Sequence, residues 1–169
     1  MARRDIDTTD KALINELIRD GRRPVGHLAK AMSITAPTVR SRLKALAASG
    51  LVRIAALVDA GSARGLTVAL VGICLDTYQL DAKLEEVAAL DQVHWAAVVT
   101  GKYDILAEVV SADGMAGLHQ FLSQELYKIG EIKSSETFVV MTSRRKWLLL
   151  PSGLRRRLEG IRLLSAAEE

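Results

Sequence analysis

Three cationic side chains, Arg40, Arg42 and Lys44, alternate with the hydroxyls of Thr35, Thr38 and Ser41 and with Pro37 in the stretch SITAPTVRSRLKALAASG, residues 33–50. Guanidinium and ammonium groups grip phosphate oxygens, while short hydroxyl and apolar side chains fit against base edges in a groove. The same mixture also describes an ordinary solvated helix face. What decides between the two is the set of elements that holds these residues.

Val39, Leu43, Leu46 and Ala47 recur at helical spacing and define one inward stripe. At about 100° per residue, Pro37, Ser41, Lys44 and Ala48 fall opposite that stripe, Thr38 and Ala45 lie nearby, and Arg40 and Arg42 bracket the outward ridge. Thr35 is placed to cap the helix N-terminus, Pro37 is tolerated in its first turn and Gly50 closes it.

Two helices precede it. Asp7 can cap a helix whose stripe is Leu13, Ile14, Leu17 and Ile18, with Asp10 favouring its positive end and Gly21 as a stop. The second, VGHLAKAM, carries Leu28, Ala29 and Met32 inward and has no Ser or Thr cap. A tight turn through Ser33 then leads into the cationic helix, and LVRIAALVD after it reads as a strand. This is the helix-turn-helix pattern, whose second helix enters the major groove. Such a turn favours glycine because its backbone is left-handed; Ser33 there costs on the order of 1 kcal/mol.

Charge follows the same division. Residues 1–58 hold eleven Lys/Arg against five Asp/Glu, residues 59–143 five against twelve, and residues 144–169 seven against three. A basic head on an acidic middle points to two domains, with a polyanion as partner for the head. Apolar residues make up 49% of the 169, enough for a core, and aromatics only 4%, so that core is aliphatic. The longest apolar run, residues 66–75, is too short to span a bilayer, and the opening MARRDIDTTDK has no signal-peptide-like apolar stretch; the expectation is a cytoplasmic protein with no membrane partner. The single cysteine, Cys74, lies inside that run and reads as a small buried hydrophobe.

The middle segment reads strand (TVALVGICLD), helix with Leu80, Leu84, Val87 and Ala88 inward, strand (VHWAAVVT), the tight turn GKY, strand (DILAEVV), helix with Met115, Leu118, Leu122 and Ile129 inward, and strand (IKSSETFVVMT). The order βαββαβ is that of a ferredoxin-like α+β unit with two helices on one sheet face. The other face, equally apolar, needs covering, and pairing with a second copy is the simplest remedy.

At this point the motifs IDTTDKALINELIRDGR, LAKAMSITAPTVRSRLKALAASGLV, VVTGKYDILAEVV and ETFVVM, in that order from Ile6 to about Met141, resemble the leucine-responsive/asparagine-synthetase regulator family (Lrp/AsnC, the feast/famine regulators). The resemblance implies a transcription regulator that binds double-stranded DNA, assembles as dimers and often octamers, and takes up an amino acid or similar effector in its C-terminal domain. By position it implies an effector cleft lined by Thr100, Gly101, Lys102, Tyr103, Asp104, Ser134, Ser135 and Thr137. Carboxylate, hydroxyls and bare amides there suit both ends of a free amino acid, although a plain hairpin capped by Asp104 uses the same residues.

The expected organisation is a helix-turn-helix (winged-helix-like) DNA-binding domain with linker strand over residues 1–60, a ferredoxin-like effector and oligomerisation domain over 61–143, and a basic extension over 144–169. In that extension Leu154, Leu158, Ile161 and Leu164 make an apolar stripe on an expected helix whose other side carries Arg155, Arg156, Arg157 and Arg162. His27, His94 and His119 lack metal-ligand spacing, TGK lacks the rest of a phosphate loop, and no Ser or Cys sits in a nucleophile motif. The expectation is therefore a sequence-specific regulator with no catalytic residues, metal or cofactor. Thr35, Pro37, Thr38 and Ser41 approach bases, and Arg40, Arg42 and Lys44 hold phosphates. Two other readings share the architecture: an enzyme similar to siroheme decarboxylases, and an architectural DNA-binding protein without effector.

Overall fold

Local chemistry fixes the start of the chain. In the computed structural model, which describes residues 5–60, 63–155 and 162–163, Asp7 accepts a hydrogen bond from the Asp10 N–H at 2.7 Å and so caps helix α1, Thr8–Arg19. Helix α2, Val25–Ala31, follows Pro24 without a side-chain cap. Ser33 takes φ +53°, the left-handed conformation expected of the turn, and helix α3, Ala36–Ala48, begins at Thr35, whose Oγ1 accepts from the Thr38 N–H at 3.3 Å. Leu13, Leu28, Ala29, Val39 and Leu46 form the buried centre of this unit.

Three details differ from the sequence reading. Ile18, placed on the stripe of α1, is 76% exposed, and Ala47, placed on that of α3, is exposed too. Arg42 is half-buried on the inward side of α3 beside Val39 and Leu46. Leu51–Leu57 forms no strand: a ladder needs a neighbour to take its N–H and C=O groups, and only Val58–Asp59, strand β1, finds one.

The chain divides into two compact units, residues 1–55 and 56–169. In the second, β2 is Ala63–Arg64 and a four-stranded antiparallel sheet is built from β3 (Thr67–Leu75), β4 (Val93–Val98), β5 (Ile105–Ser111) and β6 (Ile132–Val139). Its order is β4-β5-β3-β6, with helix α4 (Leu80–Ala88) between β3 and β4 and helix α5 (Gly114–Gln120) between β5 and β6. This is the expected βαββαβ arrangement. Helix α5 continues through a widened π-type turn, Phe121–Leu126, and a tight 3₁₀ turn, Tyr127–Ile129.

Side chains alternate across the sheet. Ala69, Val71, Ile73, Ile105, Ala107 and Val109 point to the helices and pack with Val87, Leu118 and Phe121. Met115 (60% exposed) and Ala88 lie outside this core, contrary to the helical stripes read from the sequence. Lys83 is buried instead, its ammonium donating to the Ile129 carbonyl at 2.8 Å and pairing with Glu131 at 3.1 Å.

On the opposite face, Val68 and Val110 are covered by Leu148, Leu150 and Leu154 from the C-terminal extension. Strand β7, Trp147–Leu148, pairs with β1, and strand β8, Arg162–Leu163, pairs with β2. Of the expected tail helix the described residues show α6 at Ser152–Arg155, while residues 162–163 are extended. Leu158, Ile161, Leu164, Arg156 and Arg157 lie outside the described residues. No described helix is long and apolar enough to cross a membrane.

Candidate nucleic-acid interface and small-molecule cleft

Helix α3 presents Pro37, Thr38, Arg40, Ser41 and Lys44 to solvent, preceded by the exposed cap Thr35. The Oγ1 atoms of Thr35 and Thr38 lie 2.8 Å apart, so the first turn carries a joined pair of hydroxyls. No acidic residue occupies that turn, leaving its positive end uncompensated. Arg40 and Lys44 take part in no ion pair among the described residues.

Arg42 is different. Its Nη1 donates to Oδ2 of Asp7, the cap of α1, at 2.6 Å and to Oδ1 of Asp10, in the first turn of α1, at 2.9 Å. The sequence assigns Arg42 to phosphate; in the structure its Nη1 lies between two carboxylates. Asp7 sits below the ordinary carboxylate range, first because its oxygen accepts the Asp10 amide and second because of Arg42; the guanidinium in turn is held more firmly protonated by Asp10 and Asp7. Sequence reading gave Asp7 and Asp10 only helix-end roles, since a pairing across more than thirty residues leaves no periodic signal.

In the second unit the residues grouped by the sequence fall on two faces. Gly101, with φ +119°, turns the chain at the hairpin tip, where Thr100 and Lys102 are also exposed. Asp104 pins the base of that hairpin: its Oδ2 accepts from the Leu75 N–H at 2.8 Å, while its own N–H donates to the Ile73 carbonyl at 2.9 Å. The Lys102 carbonyl accepts from Cys74 Sγ at 3.3 Å. Cys74, read as a buried hydrophobe, is only half-buried.

Glu136, overlooked between Ser135 and Thr137, is the centre of this cluster. Its Oε2 accepts from both the Lys102 ammonium and the Tyr103 hydroxyl, and the ammonium lies 5.1 Å from the centre of the Tyr103 ring. Tyr103 meets Phe138 edge to face, ring centres 6.5 Å apart. Lys102 lowers the pKa of Glu136, with Tyr103 second; Glu136 raises those of Lys102 and Tyr103.

Ser134, opposite Cys74 in the ladder, shares this face. Ser135 and Thr137, opposite Ile73 and Val71, turn to the helix side, where Ser135 borders a cleft of about 480 Å³ with Leu122, Leu126, Tyr127, Glu131 and Ile132. Strand alternation separates them, so the eight residues named from sequence do not form one cluster within a single chain.

A third polar group went unread. Glu108, 2% exposed, lies with Oε1 2.7 Å from His94 Nδ1 and takes the Lys146 ammonium on Oε2. His94 is the extra residue where the β4–β5 register shifts between Val93 and Trp95. No group of His, Cys, Asp and Glu fit to hold a metal occurs among the described residues.

These modules have known counterparts. Residues 6–47 match the AsnC-type helix-turn-helix domain and residues 68–146 the Lrp/AsnC ligand binding domain. An uncharacterized HTH-type transcriptional regulator of Pyrococcus furiosus is 32% identical over 143 residues, 84% of this chain and 95% of that one. Regulatory protein AsnC of Haemophilus influenzae is 27% identical over 81% of this chain and 92% of its own. In fold, the feast or famine regulatory protein of Mycobacterium tuberculosis complexed with L-methionine superposes with a TM-score of 0.65 at 21% identity, covering 84% of this chain and 96% of that one. With both modules in order and a relative of this similarity along most of its length, the chain belongs to the Lrp/AsnC family of helix-turn-helix transcription regulators.

Proposed function

We propose that this regulator binds double-stranded DNA as a homo-oligomer, reading it with α3, and that a small effector, an amino acid, modulates that binding. The observation that carries the DNA assignment is the outward ridge of α3, where Pro37, Thr38 and Ser41 are exposed at an uncompensated helix start beside Arg40 and Lys44, which have no ion-pair partner among the described residues. Thr35, Pro37, Thr38 and Ser41 approach base edges; Arg40 and Lys44 hold phosphates. Few bidentate base contacts are available from such side chains, so the site is degenerate and its affinity falls steeply with salt.

The oligomer reading rests on the uncovered part of the sheet, where Trp95 (38% exposed) and Phe138 (47%) stand out. The effector reading rests on the polar cluster of Lys102, Tyr103, Glu136 and Ser134 beside the hairpin tip of Thr100 and Gly101, with Ser135 and Thr137 on the far side of β6, and on the neighbour in fold that is complexed with L-methionine. Selection of bound duplexes from a random pool, with and without each amino acid at fixed salt, tests both parts. Enrichment of a motif that one amino acid strengthens or weakens is expected. No enrichment overturns the specific regulator, and enrichment indifferent to every amino acid overturns the effector.

A further inference from the structure

Arg42 stands on the helix that meets DNA, yet its surroundings are those of an internal strut. It falls three residues after buried Val39 and four before buried Leu46, on the inward side of α3, with its side chain 26% exposed. One nitrogen, Nη1, reaches both Asp7 and Asp10, and Asp10 is 1% exposed. Asp7 spends one oxygen on capping α1 and the other on Arg42, so the start of α1 and the middle of α3 are fixed by a shared carboxylate.

We propose that Arg42 is a positioning residue: by tying α3 to the first turn of α1 through Asp7 and Asp10, it sets the angle of the ridge carrying Pro37, Thr38 and Ser41 and makes no contact with DNA itself. This inference rests on α3 being the reading helix. The buried centre of the unit is five apolar side chains with eight partly buried ones packed around them, none of which fixes a direction, and Arg42 adds a directional polar tie from the middle of α3 to the start of α1. Phosphate-bound Arg40 and Lys44 tolerate a small tilt because long side chains follow it; short side chains at base edges do not. Loss of the strut therefore reduces discrimination more than grip.

The test measures the full-length wild type, Arg42→Ala, Arg42→Lys and Arg40→Ala by fluorescence anisotropy. Each binds a duplex enriched by the wild type and a shuffled duplex, across a salt series, at a temperature where circular dichroism shows each folded. For both Arg42 variants the expected result is a specific-to-shuffled affinity ratio lower by on the order of ten-fold, with the slope of log K against log salt unchanged. Arg40→Ala should show the reverse, an unchanged ratio and a slope shallower by about 0.9. Arg42→Lys keeps the fold where alanine does not and keeps a point charge for phosphate, but on a shorter stem, so its ammonium stops short of the place where Nη1 meets both acids. A shallower slope for Arg42→Ala, or full retention of the ratio by Arg42→Lys, makes Arg42 a phosphate contact and overturns the proposal. A lowered melting temperature with ratio and slope both intact makes it merely structural and overturns it too. Failure of the DNA reading itself looks different, since the wild type would then show no ratio above one.

Discussion

The ring of Tyr103 lies directly on the backbone of Gly72, so close that a Cβ at position 72 would stand 2.6 Å from the ring carbon Cγ. A glycine in the central strand of the sheet is thus required by its neighbour. Gly72→Ala should push Tyr103 away, break its hydroxyl from Glu136 and cost about 1–3 kcal/mol by urea unfolding, with a changed tyrosine signal in near-ultraviolet circular dichroism. Adding Tyr103→Ala to Gly72→Ala should recover part of that loss, because the collision is then gone. A cost within a few tenths of a kcal/mol would show that the ring does not rest there.

The Glu136 cluster should make stability depend on pH in a defined direction. Glu136 is held below its ordinary value of 4.5 by Lys102 and Tyr103, so its contribution is complete above that value and disappears as pH falls through the lowered one. Lys102 is raised above its ordinary 10.5, so its share is complete below that value and is lost as pH rises through the raised one. The stability difference between wild type and Glu136→Gln should therefore be flat around neutrality and shrink at both extremes. A difference that grew on acidification would contradict the pairing.

Ser33 pays for the turn between α2 and α3 with a φ of +53°, where a side chain collides with its own backbone. Ser33→Gly should raise stability by up to about 1 kcal/mol in thermal unfolding, less the extra freedom glycine has in the unfolded chain. DNA affinity should be unchanged, since Ser33 precedes the reading helix. Destabilisation would mean that the hydroxyl does more than tolerate the strain.

How far the sequence foretold the structure depended on the range of the signal. The cap at Asp7, the strained Ser33, the cap at Thr35 and the βαββαβ order were legible because each is written in a few neighbouring residues or in a repeating period. Glu136 was overlooked for the opposite reason: it matters only because the ladder sets it across from Gly72, and no local pattern encodes a register. Ser134, Ser135 and Thr137 were grouped although alternation separates the first from the other two, a distinction that period alone could have drawn. The charge of Arg42 is visible in the sequence, whereas its partners Asp7 and Asp10, more than thirty residues away, are not.

Three leucines of the C-terminal extension, Leu148, Leu150 and Leu154, are part of the second unit's core. Leu148, fully buried, pairs through β7 with β1 and packs with Leu150 and Leu154 over Val68 and Val110, while Lys146 reaches back to the buried carboxylate of Glu108. The basic character of residues 144–169 hid this, since the apolar residues that dock are three leucines among many cations. Leu148→Ala should cost about 2–5 kcal/mol, the range for emptying a packed core site. Lys146→Met should cost less, because Glu108 retains His94 at 2.7 Å. Hydrogen exchange would then show the strands that face the extension, β3 and β5, opening more readily at Val68 and Val110 in Leu148→Ala than in the wild type. Unchanged protection there would mean that the sheet holds its shape without the extension, and the fall in stability would have to arise elsewhere.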